Sequence, residues 1–412
     1  MGGYLEGLAC RACDARYPAE VRSICDECFG PVEPAYDEER IKAEVTRAAI
    51  EAGPRSLWRF EPLLPATRNT SIDLGDGWSP LRRAHRLGAE LGLPNLWLKD
   101  ETRNPTHSFK DRVVSVALTK AFEFGFDTVA CASTGNLANA MAAHAAAGGL
   151  RAVALVPSDL EPAKLTATAV YGATLVEVDG TYDDVQRLCS EAQEESPWAF
   201  VNVGLRPYYA EGSKTIALET AEQLGWRSPD HVVVPVASGA LLTKVAEGFR
   251  QLWRVGLLED EPTVRVSGAQ AQGCAPVATA FAEGAEEIQP VRHPQTIARS
   301  LAIGAPADGH FALQEVRKSG GALAAVSDAE IVEAVGLLAR TEGIFAETAG
   351  GVTIATLQRL AAQGLVRRDE VVVAYITGMG LKTLDGFGTR FGVAASITPE
   401  LEALAAAVPW EA

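Results

Sequence analysis

A chain of 412 residues is longer than one hydrophobic core usually serves, so two large lobes and a small appendage are expected. With 47% hydrophobic residues, 22% charged residues and a formal net charge of −16, the chain has the composition of a folded globular protein and is a poor binder of nucleic acid or anionic lipid. The N-terminus lacks a basic segment followed by an apolar stretch, and polar residues interrupt the longest apolar region, so we expect a cytoplasmic protein without a secretory signal or membrane span.

Near the N-terminus, four of the seven cysteines form two Cys-x-x-Cys pairs: Cys10 with Cys13, and Cys25 with Cys28. This spacing matches a tetrahedral structural zinc site with four thiolate ligands. Two unrelated reduced turns are the alternative, but a segment this short has almost no core without a metal. We therefore predict a zinc-ribbon-like module at residues 1–36 with a closed structural zinc, joined to the rest by a charged helical stretch from Asp37 to Ala52.

From about residue 95 onward, short β-branched runs alternate with amphipathic helical stretches. The predicted strands are NLWLK, TVACAS, RAVALVP, ATLVEVDG, AFVNV, HVVVPVAS, VRVSGAQ, ALAAVS and EVVVAYITG. This alternation is typical of parallel sheets covered by helices, so the predicted fold class is α/β.

The segment DETRNPTHSFKDR places Lys110 at the start of a predicted helix. The positive end of the helix dipole disfavours the ammonium form of a lysine there, which makes its amine easier to deprotonate. An unprotonated amine is what imine formation with a carbonyl compound requires. The ordinary alternative is a solvated surface lysine, but the compact turn before Lys110 and the junctions described next favour a functional role.

Polar and small residues follow three predicted strands at the points where helices begin. They are Ser133, Thr134, Gly135 and Asn136 after TVACAS, the turn from Ala237 to Leu241 after HVVVPV, and the Thr377 turn after EVVVAYI. Backbone N–H groups and the helix dipole point to such junctions, which can therefore receive a phosphate or a carboxylate. Each turn alone also fits an ordinary helix cap or a turn of small residues selected for packing.

Seven segments, in order, resemble the threonine synthases and their closest relatives among the fold-type II enzymes that use pyridoxal phosphate (PLP): NPTHSFKDR, ASTGNLANA, VASGALL, GAQAQGCAPV, SLAIGAPADG, GIFAETAGG and TGMGLKT. The resemblance covers residues 75–385, and the N-terminal Cys-x-x-Cys pairs are also common in bacterial and archaeal threonine synthases. It implies two α/β lobes with parallel sheets. We place a large PLP-binding lobe at 37–115 plus 205–400, a smaller lobe at 116–204 and a tail at 401–412.

The resemblance also implies how the cofactor is held. Lys110 would carry PLP covalently, Asn136 would bond its phenolic oxygen and Thr377 would face its pyridine nitrogen. The phosphate of PLP would lie against Ala237, Ser238, Gly239, Ala240 and Leu241. Because a Thr hydroxyl is a neutral partner for the ring nitrogen, the ring is a weaker electron sink and Lys110 must carry most of the proton transfers.

For the substrate, the resemblance implies that Ser133, Thr134 and Gly135 bind a carboxylate. Arg206, just beyond AFVNV, is a candidate for a substrate phosphate, with Lys99 and Arg103 as further donors near strand ends. The implied activity is conversion of O-phosphohomoserine, a small phosphorylated amino acid, to threonine and phosphate. Dimers are frequent in this family, so the resemblance is compatible with a homodimer.

Several positions depart from the commonest pattern of the family. His107 stands where NPTGSFK has glycine, Met379 replaces a polar residue, the phosphate turn lacks the asparagines of GNAGN, and ETAGG replaces EPASA. His107 is either a second acid or base beside Lys110 or a residue packed in a turn. The departures put the substrate in doubt, so one alternative is β-replacement on a phosphorylated or acetylated serine. A second alternative is a zinc-ribbon binding protein with a degenerate enzyme body, although the acidic charge and the retained Lys110, Asn136 and Thr377 count against it.

Overall fold

A computed structural model describes residues 3–388 and 390–408 of the chain. Its N-terminal module is a three-stranded antiparallel sheet in which the first strand is central. The strands are β1 (Leu5–Cys10), β2 (Arg16–Tyr17) and β3 (Val32–Tyr36). The helical stretch predicted from Asp37 to Ala52 is two short helices, α1 (Glu38–Glu44) and α2 (Arg47–Glu51), because Val45 is extended and the Thr46 side chain caps a new helix.

The remaining elements alternate as predicted for an α/β fold. The first group, in chain order, is β4 (Leu81–Arg83), α3 (His85–Leu91), β5 (Leu96–Asp100), α4 (Lys110–Glu123), β6 (Thr128–Ala132), α5 (Asn136–Gly148), β7 (Arg151–Pro157), α6 (Pro162–Ala169), β8 (Thr174–Val178), α7 (Tyr182–Glu195), β9 (Ala199–Phe200) and α8 (Arg206–Gln223). The second group is β10 (His231–Pro235), α9 (Ala240–Arg254), β11 (Arg265–Ala271), α10 (Pro276–Glu283), α11 (Gly309–Ser319), β12 (Leu323–Val326), α12 (Asp328–Glu342), α13 (Thr348–Ala362), β13 (Val372–Ile376) and α14 (Leu401–Ala407).

These strands form two sheets. The larger has six strands in the order β12-β11-β10-β13-β5-β4, and the smaller has four in the order β8-β7-β6-β9. Every pair is parallel except β4 with β5. Both faces of the central strands are covered by helices, so β10 and β13 are buried at every position and consist mainly of Val and other apolar residues.

Each of the nine apolar runs predicted as strands contains a strand of these two sheets. The run AFVNV forms only two ladder residues in β9, because the chain turns at Val201 and enters α8 at Arg206. One strand, β4, was not predicted from the sequence; it is a three-residue antiparallel edge strand with the sequence LRR. It is too short and too polar for a periodic signal.

A buried network of ionic groups fixes α4, the helix that begins at Lys110, against α8. The Arg112 guanidinium bonds Glu219 of α8 at 2.6 Å and Glu101, just after β5, also at 2.6 Å. Lys99 Nζ bonds the same Glu219 at 2.8 Å, and these four side chains are fully buried. The opposite charges compensate one another's desolvation, so the network sets the position of the first turn of α4.

Among the described residues, no helix has the length and apolar character needed to cross a membrane. The end of the predicted tail, residues 409–412, lies outside the described residues, and α14 occupies Leu401–Ala407 of that tail.

Candidate active site

One pocket brings together most of the residues that the sequence singled out. It lies where β6, β10 and β13 end and α4, α5 and α9 begin. Its wall includes Lys110, Ser133, Thr134, Asn136, Arg206, Ala237, Ser238, Gly239, Ala240, Leu241 and Thr377. Gly135 is packed behind this wall against the Lys164 side chain. The carboxyl ends of parallel strands meet in space, which is why segments far apart in sequence share the site.

The Lys110 amine is enclosed by aromatic and apolar groups. Its Nζ lies 4.7 Å from the centre of the Phe109 ring and donates a hydrogen bond of 2.7 Å to the Tyr209 hydroxyl. Burial lowers the pKa of Lys110 to about 8, and the nearby Glu347 carboxylate opposes part of this shift. The main cause is therefore desolvation, which the sequence argument from the helix dipole did not include.

Two helix N-termini face the pocket across turns that only glycine fits well. Gly239 has φ +94 before α9, and a Cβ there would lie 2.6 Å from the Asp308 carbonyl oxygen. Gly135 has φ +118 before α5, and a Cβ there would lie 2.2 Å from Lys164. Without side chains, these turns bring backbone close to the pocket, where N–H groups at a helix start can bind an anion.

The turn before α5 is partly occupied by its own cap. The Ser133 hydroxyl accepts hydrogen bonds of 2.9 Å from the N–H groups of both Gly135 and Ala138. Ser133 therefore performs the capping role that the sequence offered as an alternative, and only its hydroxyl proton is left for a ligand.

Asn136, the first residue of α5, lies at the centre of a polar group that the fold leaves incomplete. Its Nδ2 donates a hydrogen bond of 2.8 Å to Glu347, which is only 2% exposed. Its Oδ1 and the Ser300 hydroxyl of the same pocket are buried, and neither has a partner within the described part of the chain. Buried polar atoms without partners are costly, so these two atoms fit a pocket that takes a polar ligand.

Thr377 is held in place by the turn that precedes Lys110. Its carbonyl oxygen accepts a hydrogen bond of 2.9 Å from the Phe109 N–H, and Ser108 forms an antiparallel bridge with Gly378. The Thr377 side chain is 2% exposed and lines the pocket. Backbone hydrogen bonds thus join the turn after β13 directly to the turn before α4.

The three residues predicted to donate hydrogen bonds to a substrate phosphate differ in whether they are free to do so. The Arg206 guanidinium reaches the pocket but forms an ion pair with Asp308. Lys99 is fully buried in the network with Glu219, and Arg103 is exposed and outside the pocket wall. Lys99 is thus a wrong candidate, because its three N–H donors are used by Ser79, Glu219 and Gln223.

His107 is placed by backbone conformation and lies outside the pocket wall. Its φ of +62 is in the left-handed region, which accounts for the glycine that the resemblance leads one to expect at this position. The ring is exposed, and Nδ1 lies 3.2 Å from the Thr102 carbonyl oxygen. The geometry therefore favours the turn-packing interpretation over the acid–base one. Met379 is linked to the same turn, since its N–H bonds the His107 carbonyl at 3.0 Å.

Similarity to known proteins shows the family to which this chain belongs. A model of the family described as "Pyridoxal-phosphate dependent enzyme" matches residues 72–378. The chain is 38% identical over 378 residues to a threonine synthase of Methanocaldococcus jannaschii, covering 91% of this chain and 93% of that protein. It is 37% identical to a threonine synthase of Methanosarcina acetivorans, covering 91% and 92%. The chain belongs to the threonine synthase family of PLP-dependent enzymes.

The fold agrees with this family. The processed form of threonine deaminase isoform 2 from Solanum lycopersicum superposes with a TM-score of 0.64 at 21% identity, covering 90% of this chain and 96% of that one. At this identity the likeness shows the fold alone. It supports the fold-type II architecture that the motifs implied.

Two residues of the candidate active site, Glu347 and Tyr209, were not predicted from the sequence. Glu347 lies within the quoted motif GIFAETAGG, but a carboxylate before a helix looks like an ordinary cap. Tyr209 lies three residues after Arg206, and a tyrosine in this stretch has no sequence signal that separates it from an ordinary core residue. A helix places residues i and i+3 on one face, so Arg206 and Tyr209 could have been recognised together.

The four N-terminal cysteines also come together. Their Sγ atoms all lie within 4.8 Å of one another, with Cys10–Cys28 and Cys13–Cys28 at 3.4 Å and Cys13–Cys25 at 3.6 Å. Sulfur atoms around a tetrahedral zinc are about 3.8 Å apart, since each zinc–sulfur bond is about 2.3 Å. None of the four is in a disulfide, so the donor set fits zinc.

Proposed function

We propose that this chain is a PLP-dependent lyase that converts O-phosphohomoserine to threonine and phosphate. The observation that carries the proposal is the half-buried Lys110 amine, which lies in the same pocket as the N-termini of α5 and α9. The chain surrounding that pocket is 38% identical to a threonine synthase over 91% of its length. The relatives support a threonine-forming activity, and the site supports chemistry at a lysine-bound cofactor.

The pocket supports each contact expected for the cofactor. Lys110 would hold PLP covalently, the Ala237 to Leu241 turn would receive its phosphate at the α9 N-terminus, Asn136 would bond its phenolic oxygen and Thr377 would face its ring nitrogen. When bound, PLP supplies an electron sink that acidifies the α-proton of an attached amino acid. The unpartnered Oδ1 of Asn136 supports a polar ligand at this position.

We assign the substrate to the turn that precedes Asn136 and to Arg206. The turn from Ser133 to Gly135 before α5 is suited to a carboxylate, and Arg206 is suited to the phosphate. Because Arg206 pairs with Asp308, the phosphate must compete with that carboxylate for the guanidinium. Lys110, with a pKa of about 8, is able to accept the α-proton near neutral pH and later to return protons.

We further propose a structural zinc on Cys10, Cys13, Cys25 and Cys28. The compact arrangement of four reduced thiols supports it, and a site with four protein ligands leaves no open position for catalysis. We also propose that residues 1–36 form a zinc-ribbon-like module, followed by a large lobe at 37–115 plus 205–400 and a smaller lobe at 116–204. We propose a cytoplasmic location, with which cysteines outside disulfides are consistent.

The function is tested by incubating the purified protein with O-phosphohomoserine and measuring phosphate and threonine together. Equal amounts of both products are expected, with Lys110→Ala as the inactive control. Phosphate without threonine would contradict the addition of water. Release from O-phosphoserine in the presence of sulfide or sulfite, with none from O-phosphohomoserine, would establish β-replacement instead. Absence of visible absorbance after PLP addition would indicate a degenerate enzyme body.

A further inference from the structure

The Tyr209 hydroxyl has an unusual position relative to the reactive lysine. It accepts a hydrogen bond of 2.7 Å from Lys110 Nζ, and the Tyr209 ring centre lies 5.3 Å from the same atom. Within residues 3–388 and 390–408, it is the one hydrogen-bond partner of that amine. Tyr209 is 9% exposed and forms part of the pocket wall.

This contact is set by helix packing, since Lys110 and Tyr209 lie on different helices. Arg112 of α4 bonds both Thr215 and Glu219 of α8, at 3.1 Å and 2.6 Å, and these groups are buried. The neighbouring Tyr208 points the other way, and its hydroxyl donates to the Glu20 carbonyl of the N-terminal module at 2.8 Å. The packing of α8 against α4 therefore places the Tyr209 hydroxyl on the amine, and the Tyr208 hydroxyl is not part of that packing.

The protonation states of the two groups define the direction of the hydrogen bond. Burial raises the pKa of Tyr209 well above its ordinary value, so its hydroxyl keeps its proton. A protonated phenol accepts from Lys110 through its oxygen and leaves its own O–H free to donate into the pocket. The oxygen can accept an N–H from either a neutral amine or an ammonium group.

We propose that Tyr209 is a catalytic residue that works with Lys110. Its oxygen accepts one N–H of the lysine before and after proton transfer, which aims the nitrogen lone pair at the substrate Cα and stabilises the ammonium group that forms. In that step the Cα–H bond breaks, an N–H bond forms on Nζ, the electron pair passes to the cofactor, and Tyr209 keeps its proton. The inference rests on the proposed PLP chemistry and adds a residue to it.

Tyr209→Phe tests this role, because it removes the hydroxyl and keeps the ring. The PLP absorbance and the borohydride-trapped adduct on Lys110 should be unchanged, while turnover should fall by about 100-fold. Loss of the acceptor destabilises the ammonium form, so the acid limb of the turnover–pH profile should move to lower pH. Exchange of the substrate α-proton with deuterium from solvent should slow in parallel. Tyr208→Phe is the matched control on the same helix, and it should keep the wild-type pH profile.

The outcomes separate this inference from the proposed function. Exchange is followed with both O-phosphohomoserine and O-phosphoserine, so a wrong substrate assignment would appear as wild-type exchange with the second compound only and would leave the Tyr209 comparison intact. A Tyr209→Phe holoenzyme with wild-type exchange rate and an unshifted acid limb would overturn the inference. Slow turnover with an unshifted limb would also overturn it, because that result indicates a structural role. Wild-type protein that exchanges neither substrate would overturn both proposals.

Discussion

At the scale of single residues, opposing effects act on the Lys110 amine. Transfer out of water disfavours its ammonium form, whereas the carboxylate of Glu347 favours it, and the pKa of Lys110 settles at about 8. As pH rises through this value, the amine loses its proton and becomes a nucleophile. The rate at which cofactor-free protein captures PLP should therefore rise between about pH 7 and 9.

The Lys110→Ala variant should lose the borohydride-trapped PLP adduct and roughly 10⁴-fold in turnover, since in the proposed function this one amine is both attachment point and base. Mass mapping after reduction identifies the modified lysine. Lys120→Ala is the matched control, because Lys120 lies on the same helix but bonds Glu123 away from the pocket. An adduct on a lysine other than Lys110 would exclude the assignment.

Arg206 offers a second test at this scale. If it binds the substrate phosphate, Arg206→Ala should raise the KM for O-phosphohomoserine or lower turnover while PLP occupancy, read from visible absorbance, stays constant. A loss of about 10-fold to 100-fold is expected from one charge-assisted contact. Asp308→Asn removes the competing carboxylate and should lower the KM. If Arg206→Ala instead releases PLP, the guanidinium supports the cofactor turn.

At the scale of elements, helix α5 is joined to the loop before β4 by a buried histidine. His144 Nε2 bonds Asp76 at 2.9 Å and Nδ1 bonds the Ala140 carbonyl at 2.8 Å, while Asp111 lies 4.0 Å away. Both ring nitrogens face acceptors, so this ring is an imidazolium ion and is unsuited to bind a metal. Burial opposes the charge, but the Asp76 carboxylate outweighs it, and the pKa of His144 rises to about 9.

This raised pKa predicts how stability depends on pH. The unfolded histidine titrates near 6.5, so the stabilisation is complete below that pH and is lost as pH rises through about 9. The unfolding free energy of the wild type should fall by about 3 kcal/mol more between pH 6 and 10 than that of His144→Gln. Urea unfolding at each pH measures this, with exposed His310→Gln as control. Equal slopes for wild type and His144→Gln would refute the ion pair.

At the scale of the whole molecule, the N-terminal module is attached to the helices that carry the site. Tyr36 bonds Glu211 of α8 at 2.7 Å, and Glu33 lies 3.2 Å from Lys244 of α9. The sheet of the module has few residues, so its shape depends on the cysteine cluster. Its contacts with α8 nevertheless lie outside the pocket wall.

Metal analysis of protein purified without chelators should therefore find about one zinc per chain. Changing Cys10 and Cys13 together to Ser should remove the zinc and leave the PLP absorbance largely intact, because the proposed cofactor contacts lie outside residues 1–36. Cys189→Ser, at a buried position in α7, should keep the zinc. Metal-free wild-type protein would refute the site.

Local patterns in the sequence were enough to predict the α/β class, the nine main strands and the residues at their ends. Strand ends are readable because buried parallel strands are continuous apolar runs that stop at small polar turns. The two Cys-x-x-Cys pairs can also be recognised in the sequence, because both cysteines of each pair lie within four residues. The family motifs then implied the cofactor, and they led to the proposal that Lys110 holds it.

What the sequence by itself determined is the set of local turns; only the tertiary structure decided which side chains meet across them. The contact of Tyr209 with Lys110 joins two helices, the pairing of Arg206 with Asp308 spans about a hundred residues of chain, and Lys99 turns out to be buried. Such contacts depend on how α4, α8 and the sheets pack, and no local periodicity records that packing. The pKa of Lys110 is likewise a tertiary property, because desolvation depends on every group that encloses the amine.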